Sequence, residues 1–382
     1  MIEKDDGMRI REEIGRLAVK IIFYPKYHFI FTYKNFDRKR KDPYFLIGNH
    51  ASLNDPLFVE IKLINYPYPV AGNLLYTNPM YNFLLTRVTK TIAKRKGQSD
   101  VQAIRAILNA FHKDHRGIMI FPEGNASYFG QQSDVSYLTT AKLIKKVKHE
   151  VVLAKINGGY LAAPRWGKRR KKGDFHIHYE RILTPEMIES YSISELEDTL
   201  KRAVAFNDYE WNRKEKIIYK SKEKAIGLEK YIYACPVCQG IQTISTKGND
   251  VFCSKCGHIA RFNQYEFLEG LPFDNLIEWD QMQKPLIENA VKKPLYSSGR
   301  LIKIDFIKQK RIVIGDMDVS LDNKILKLIN QKHQHEFNVD YIKGLVLTQK
   351  NFLSFDYDDD TFLIRINDPM LFLDSINYLK GE

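Results

Sequence analysis

A chain of 382 residues is too long for one ordinary hydrophobic core, so two to four domains are expected. Its 44% hydrophobic and 12% aromatic content, without collagen-like or Pro/Ser-rich tracts, excludes a fibrous or wholly disordered protein. The net charge of +13 favours an anionic partner such as a phospholipid surface, a nucleic acid or an acidic carrier protein, without choosing among them.

The opening residues, MIEKDDGMRIREEIGRLAVK, are charged throughout, so no secretory signal peptide is expected. No stretch reaches about 18 apolar residues, so no spanning helix is expected either. The nearest approach runs from Ile14 to Tyr33 and is interrupted by Lys20 and Lys26. Its aromatics and lysines suit the plane of a membrane interface; the plainer alternative is a core-packing helix followed by a strand.

The run DPYFLIGNH reads as a buried strand that delivers His50 to a turn. Asp55 and Pro56 then suit the N-cap and first turn of a helix carrying Leu57, Phe58, Ile61 and Ile64. A second helix starts at Ser99, with Gln102 completing a capping-box pattern, and bears a stripe of Val101, Ile104, Leu108 and Phe111. IMIFPEG is a short buried strand running into a turn. A helix near Tyr137 to Val147 and the strand VVLAKI follow. Strands alternating with helices at this spacing predict an α/β domain with a mixed, largely parallel sheet flanked by helices.

From Arg165 to Lys172 every residue is basic except Trp166 and Gly167. That run reads as a solvated hairpin, or, beside a phosphate-handling site, as a dock for anionic headgroups. In the next strand Phe175, Ile177 and Tyr179 alternate with His176, His178 and Glu180, the pattern of a half-buried strand with a wet face rather than a metal site. A long charged helix from Ser194 to Lys224 closes the first domain. From Ser298 the chain is β-rich, with Asp358 to Asp360 marking a hairpin tip, and Asp368 and Pro369 start a final helix. The expected domains are 1–228, 229–296 and 297–382.

All four cysteines fall in Cys235-x-x-Cys238 and Cys253-x-x-Cys256. A two-residue spacer lets both thiolates of a knuckle reach one ion, and two knuckles complete a tetrahedral site. The expectation is a zinc ribbon whose Zn²⁺ is structural, because protein fills every position. A disulfide reading needs an oxidising compartment, and nothing targets the chain there. Zinc ribbons often bind nucleic acid, but this one lacks a dense Arg/aromatic face, so no nucleic-acid partner is expected.

His50 and Asp55 form a His-x4-Asp pair. A carboxylate that fixes the imidazole tautomer and stabilises the imidazolium makes a general base. The pair reads as a triad without its nucleophilic serine, which fits a reaction whose acceptor substrate brings the attacking hydroxyl. About seventy residues on, a strand ends in Pro122-Glu123-Gly124, where glycine permits close backbone approach and glutamate can hold a hydroxyl or amine. Between them, Arg95 precedes a helix start, a natural phosphate seat. The bland reading of Arg95 is a solvated loop charge.

The segments NHASLND, IAKR, FPEGN and VVLAKINGGYLAAPRW, in that order over roughly residues 40 to 185, resemble the glycerolipid acyltransferase family that includes 1-acylglycerol-3-phosphate acyltransferase. The run from FPEGN to YACPVC also resembles a bacterial subgroup with a zinc ribbon after the acyltransferase domain. The resemblance implies acyl transfer to a lysophospholipid hydroxyl, giving phosphatidate where the acceptor is 1-acylglycerol 3-phosphate. The donor would be acyl carrier protein, coenzyme A or an acyl phosphate. It implies His50 as general base with Asp55 orienting it, Arg95 and Lys96 on the acceptor phosphate, and Glu123, Gly124 and Asn125 at the glycerol site.

One departure stands out. Where many relatives have arginine two residues after the motif glycine, this chain has Ala126, and Thr139 and Thr140 replace a basic residue before the next helix. Weaker acceptor binding or another headgroup would follow unless Lys96 and Lys142 compensate. The expected location is cytoplasmic and peripheral, on the inner face of the cell membrane at an anionic surface. The C-terminal strands weakly resemble a pleckstrin-homology or GRAM-like domain, by pattern alone. The rival reading is a non-catalytic lipid- or nucleic-acid-binding protein using the ribbon and the basic surface.

Overall fold

The computed structural model describes residues 10, 13–18, 20–22, 24–94 and 101–381. The chain forms two compact units, Met1–Pro164 with Lys172–Tyr219, and Arg165–Lys171 with Lys220–Glu382.

In the first unit seven strands form one sheet: β1 (His28–Lys34), β2 (Phe45–Gly48), β3 (Tyr68–Gly72), β4 (Ile92–Lys94), β5 (Ile118–Ile120), β6 (Val151–Asn157) and β7 (Asp174–Leu183). Their order is β1-β7-β6-β2-β5-β3-β4. Every adjacent pair is parallel except β6 with β7. The expected mixed, largely parallel sheet is therefore present. Continuous apolar runs such as Phe45, Leu46 and Ile47, all fully buried, belong to strands covered on both faces.

The helices are α1 (Asp55–Val59), α2 (Pro79–Arg87), α3 (Val101–His112), α4 (Leu138–Val147), α5 (Gly159–Ala162), α6 (Pro185–Ser190), α7 (Ile193–Val204) and α8 (Asp208–Glu215). One core joins Phe45, Ile47 and Ile118 of the sheet to α3, α4 and α7 through Ile107, Ile144, Leu196 and Leu200. Against other sheet residues Phe58 of α1 packs on Phe29 and Phe175, with ring centroids 5.1 and 5.2 Å away. Burying Phe58 contributes about 2 kcal/mol. The Tyr179 hydroxyl also donates to the Val59 carbonyl at 2.6 Å, so β7 holds α1 at both a ring and a backbone group.

Three expectations need correction. Helix α1 ends at Val59, with Asn54 rather than Asp55 as its N-cap, so Ile61 and Ile64 lie beyond it. On α3 the buried positions are Ala103, Ile107, Ala110 and Phe111, while Val101 is exposed. The two alanines let the helix approach its neighbours closely, rotating the buried stripe from the one the larger side chains suggested. The long helix expected from Ser194 to Lys224 breaks at 205–207 and stops at Glu215. There Asn207 caps α8, accepting from the Tyr209 and Glu210 N–H groups. Residues 13–18 and 20–22 are helical, and Tyr24–Lys26 is a 3-10 turn that leads into β1. The expected Ser99 cap lies outside the described residues.

In the second unit β8 (Ile244–Lys247), β9 (Asp250–Cys253), β10 (Gly257–Phe262) and β11 (Leu268–Glu269) form a small antiparallel sheet. Helices α9 (Leu276–Gln283) and α10 (Ile287–Ala290) follow. A second antiparallel sheet contains β12 (Leu295–Asp305), β13 (Lys310–Asp322), β14 (Ile325–Ile329), β15 (Gln334–Asn338), β16 (Lys343–Thr348), β17 (Phe352–Tyr357) and β18 (Asp360–Ile366), in the order β15-β14-β13-β12-β18-β17-β16. Helix α11 (Pro369–Lys380) closes it, with Leu371, Phe372 and Ile376 fully buried. Tyr357 pairs with Asp360 across the tip at Asp358, the hairpin expected for the acidic run.

The basic run is also corrected. Lys168, Arg169, Arg170 and Lys172 are exposed, but Arg165 is 1% exposed and donates to the Leu347 and Gln349 carbonyls at 2.9 and 2.7 Å. Lys171 is likewise buried and paired with Glu266, whose other oxygen meets Lys224 at 2.8 Å. Two of the residues offered as headgroup contacts are thus structural cations of the second unit.

Candidate active site and cysteine cluster

Strands β2 and β5 run parallel and end side by side, so the turn after β2 brings His50 next to the turn after β5, which carries Glu123. Clefts beyond the carboxyl ends of parallel strands are where such folds place ligands. β4 ends at Lys94 in the same parallel group; Arg95 and Lys96, expected at the phosphate, lie outside the described residues.

The imidazole Nδ1 of His50 lies 3.0 Å from Asp55 Oδ2. Asp55 is fully buried, and the hydrogen bonds it accepts account for both oxygens. Oδ2 also accepts the Ser52 N–H at 2.8 Å, and Oδ1 accepts the Ser52 hydroxyl at 2.5 Å. These donors satisfy both oxygens of the buried carboxyl group, which in turn fixes the ring through Nδ1. His50 keeps 15% side-chain exposure, and its Nε2 has no hydrogen-bond partner among the described residues. The Phe121 ring lies against the imidazole, centroids 4.7 Å apart. Gly48 makes that possible, since a Cβ there would stand 2.9 Å from the Phe121 ring and 3.1 Å from the Ala154 carbonyl.

The neighbouring side chains hold the turn. Asn49 is fully buried and donates to the Ile156 carbonyl at 2.8 Å while accepting the Ile156 N–H at 2.7 Å, tying β2 to β6. The His50 carbonyl accepts the Ser127 N–H at 2.8 Å. Glu123 accepts the His50 N–H and the Ser133 N–H, both at 2.9 Å, one on each oxygen. Burial pushes its carboxyl above the usual range, against the pull of those two donors. Gly124 is exposed with φ +67°, the left-handed conformation glycine adopts without strain. Asn125 donates to the Tyr128 hydroxyl at 2.9 Å. Ala126 is buried and Lys142 is exposed on α4.

His50, Asp55, Glu123, Gly124 and Asn125 are therefore brought together. Ser52 and Asn49 were visible in the motif but carried no assignment. Asp208 gave no sequence signal at all: it is fully buried and accepts the Gly158 and Tyr160 N–H groups at 3.0 and 2.8 Å. Burial pushes its carboxyl up to about 7, with Asp55 adding to the rise.

In the second unit the Sγ atoms of Cys235, Cys238, Cys253 and Cys256 all lie within 4.8 Å of one another. The Cys238–Cys253 separation is 3.7 Å, far from a disulfide and close to the roughly 3.8 Å edge of a tetrahedron with 2.3 Å metal–sulfur arms. The donor set thus fits one four-thiolate ion. Helix α9 braces the first knuckle: Trp279 Nε1 donates to the Ala234 carbonyl at 2.9 Å, and Gln283 pairs with the Tyr233 N–H and the Tyr231 carbonyl.

The family model Acyltransferase matches residues 30–167. Among solved structures the chain matches the crystal structure of the 1-acyl-sn-glycerophosphate (LPA) acyltransferase, PlsC, from Thermotoga maritima, with 18% identity and a TM-score of 0.43, covering 53% of this chain and 80% of that one. No curated protein matches. The chain thus carries, over residues 30–167, a domain that matches the acyltransferase family, followed by a four-cysteine cluster and a β-rich region.

Proposed function

We propose that the protein transfers a fatty acyl group from a thioester or acyl phosphate to the free hydroxyl of a lysophospholipid, with 1-acylglycerol 3-phosphate as the first acceptor to test. The observation that carries this reading is the His50–Asp55 pair, with a buried, fully engaged carboxyl group behind Nδ1 and an Nε2 without a hydrogen-bond partner among the described residues. Nε2 takes the hydroxyl proton as the oxygen attacks the donor carbonyl. Asp55 stabilises the imidazolium. Collapse of the tetrahedral oxyanion expels the thiolate of a thioester or the phosphate of an acyl phosphate, and the imidazolium returns its proton to that leaving group. A positioned base of this kind contributes about 10²–10⁴-fold.

Arg95 and Lys96 are proposed as the phosphate contacts, and Gly124 and Asn125 as the edge of the glycerol site. For Glu123 the engagement of both oxygens by backbone donors favours a bracing role over direct contact with substrate. The four cysteines are proposed to hold a structural Zn²⁺ within a ribbon of residues 229–296, between an acyltransferase domain of 1–228 and a β-rich domain of 297–382. That last domain, a four-strand and a three-strand meander followed by a helix, supports the pleckstrin-homology-like reading.

Membrane contact is proposed as peripheral, on an anionic cytoplasmic surface. Among the described residues no helix is long and apolar enough to cross a membrane, whereas Ile14, Leu17 and Ile21 of the N-terminal helical residues and Met80 and Phe83 of α2 are exposed. The test is a panel of labelled acyl carrier protein, coenzyme A and acyl phosphate donors with lysophospholipid vesicles, the product identified by mass spectrometry. Formation of a diacyl phospholipid supports the reading; no transfer with any donor and acceptor removes it.

A further inference from the structure

Strand β13 outruns its outer neighbour and becomes an edge strand, while β12 stays in the sheet up to Ile304. β14 pairs with β13 only over Asp318–Asp322, and β18 pairs with β12 only over Gly299–Ile304. Residues 310–317 of β13 therefore have only β12 as a strand partner, in a ribbon closed by the turn at residues 306–309.

The ribbon carries apolar side chains where a soluble hairpin carries polar ones. Ile307 at the tip is 97% exposed, with Phe306 beside it at 36%; Ile312 and Val313 are 48% and 57% exposed. Successive strand residues point to opposite faces, so the last two put apolar surface on both sides of the ribbon.

The charges select an anionic surface. From Arg300 to Asp316 there are five basic residues and two acidic ones. Asp316 is paired with Arg300 at 2.8 Å, Lys303 with Asp360 at 2.6 Å, and Asp305 accepts the Lys308 N–H across the turn at 2.9 Å. Exposed Lys308 and Lys310 remain at the tip, flanking Ile307.

We propose that this hairpin is an insertion device for an anionic lipid surface: Phe306 and Ile307 enter the boundary between headgroups and acyl chains, Ile312 and Val313 follow, and Lys308 and Lys310 meet the phosphates. Such a combination of apolar area and lysines is what makes surface binding both strong and charge-selective. The proposal is independent of acyl transfer and holds or fails on its own test.

The test is co-sedimentation of the full chain with vesicles of phosphatidylcholine containing phosphatidylglycerol. Ile307→Glu lowers the partition coefficient by about tenfold. The double variant Lys308→Glu, Lys310→Glu lowers it by about twentyfold or more on anionic vesicles, with little effect on pure phosphatidylcholine. All three positions are exposed, so unchanged melting temperatures are expected. As a second measurement, Ile307→Trp adds an indole whose emission shifts blue and is quenched by lipids brominated on the acyl chain, beyond any change in the wild type. Wild-type partitioning by Ile307→Glu, an unquenched added indole, or failure of the wild type to partition at all would overturn the proposal.

Discussion

The two oxygens of Glu123 serve two loops: Oε1 accepts the His50 N–H at 2.9 Å and Oε2 the Ser133 N–H at 2.9 Å. A carboxylate from the turn after β5 thus sets the backbone position of the proposed base after β2. Both oxygens are engaged within the protein, with the Ser133 side chain adding to the two backbone donors, which favours the proposed action through His50 over direct contact with substrate.

That arrangement predicts the behaviour of Glu123→Gln. A carboxamide offers one acceptor oxygen and turns an NH₂ group towards the second N–H. The expected cost is about 1–3 kcal/mol of stability, with kcat lowered at least tenfold while KM for the acceptor changes little. A large rise in KM with kcat intact would instead assign Glu123 to the substrate, as the motif first suggested.

Removal of the metal tests the cysteine cluster. Four thiols around one point, Cys235 and Cys253 buried and Cys238 and Cys256 exposed, suit a common ion, and structural zinc contributes folding energy outright. Purified protein should contain one zinc per chain by elemental analysis. Chelation at elevated temperature, or Cys235→Ser, should lower the melting temperature by roughly 10 °C or more. A metal-free chain that melts as the native one does would remove the zinc assignment.

Asp208 gives a pH dependence with a definite sign. Its carboxyl titrates at about 7 when folded and near 3.8 in the ordinary state. Between those values the folded chain retains a proton that the unfolded chain has released. Stability should therefore fall as pH rises from about 4 to 7, by a few kcal/mol, and level off above that. Asp208→Asn should be less stable at pH 5, having lost an acceptor for the Gly158 and Tyr160 N–H groups, but show a flatter slope. Denaturant melts at pH 5, 6 and 8 compare the slopes directly, and equal slopes would rule out Asp208 as the source.

Arg165 separates structural cations from surface ones. Arg165→Met leaves the Leu347 and Gln349 carbonyls without their charged donor and should cost about 2–3 kcal/mol in chemical denaturation. Arg170→Met, at an exposed position, should stay within about 0.5 kcal/mol of wild type. Similar losses for both would contradict the burial of Arg165.

What the sequence made legible follows the range of the interactions. Strands β2, β5, β6 and β7, the turn carrying His50 and the cysteine knuckles are local patterns, and they stand where periodicity and spacing put them, whereas the short β3 and β4 left no such pattern. The orientation of α3 was misjudged because size, not only hydrophobicity, decides which stripe faces the sheet, and Ala103 and Ala110 allow the closer approach. The break at 205–207 was hidden because Asp208 satisfies N–H groups some fifty residues upstream, at Gly158 and Tyr160. The basic run looked solvated because Arg165 finds its acceptors more than 180 residues away. Glu123 was seen as a site residue, but its partners, His50 and Ser133, are known only from the fold.

The central claim is that His50, fixed through Nδ1 by Asp55, takes the acceptor proton on Nε2. The most direct measurement is acyl transfer to 1-acylglycerol 3-phosphate by wild type and His50→Ala at matched zinc content and melting temperature. The account predicts transfer by the wild type and a loss of about 10²–10⁴-fold in kcat for the variant. Transfer undiminished in His50→Ala would contradict it.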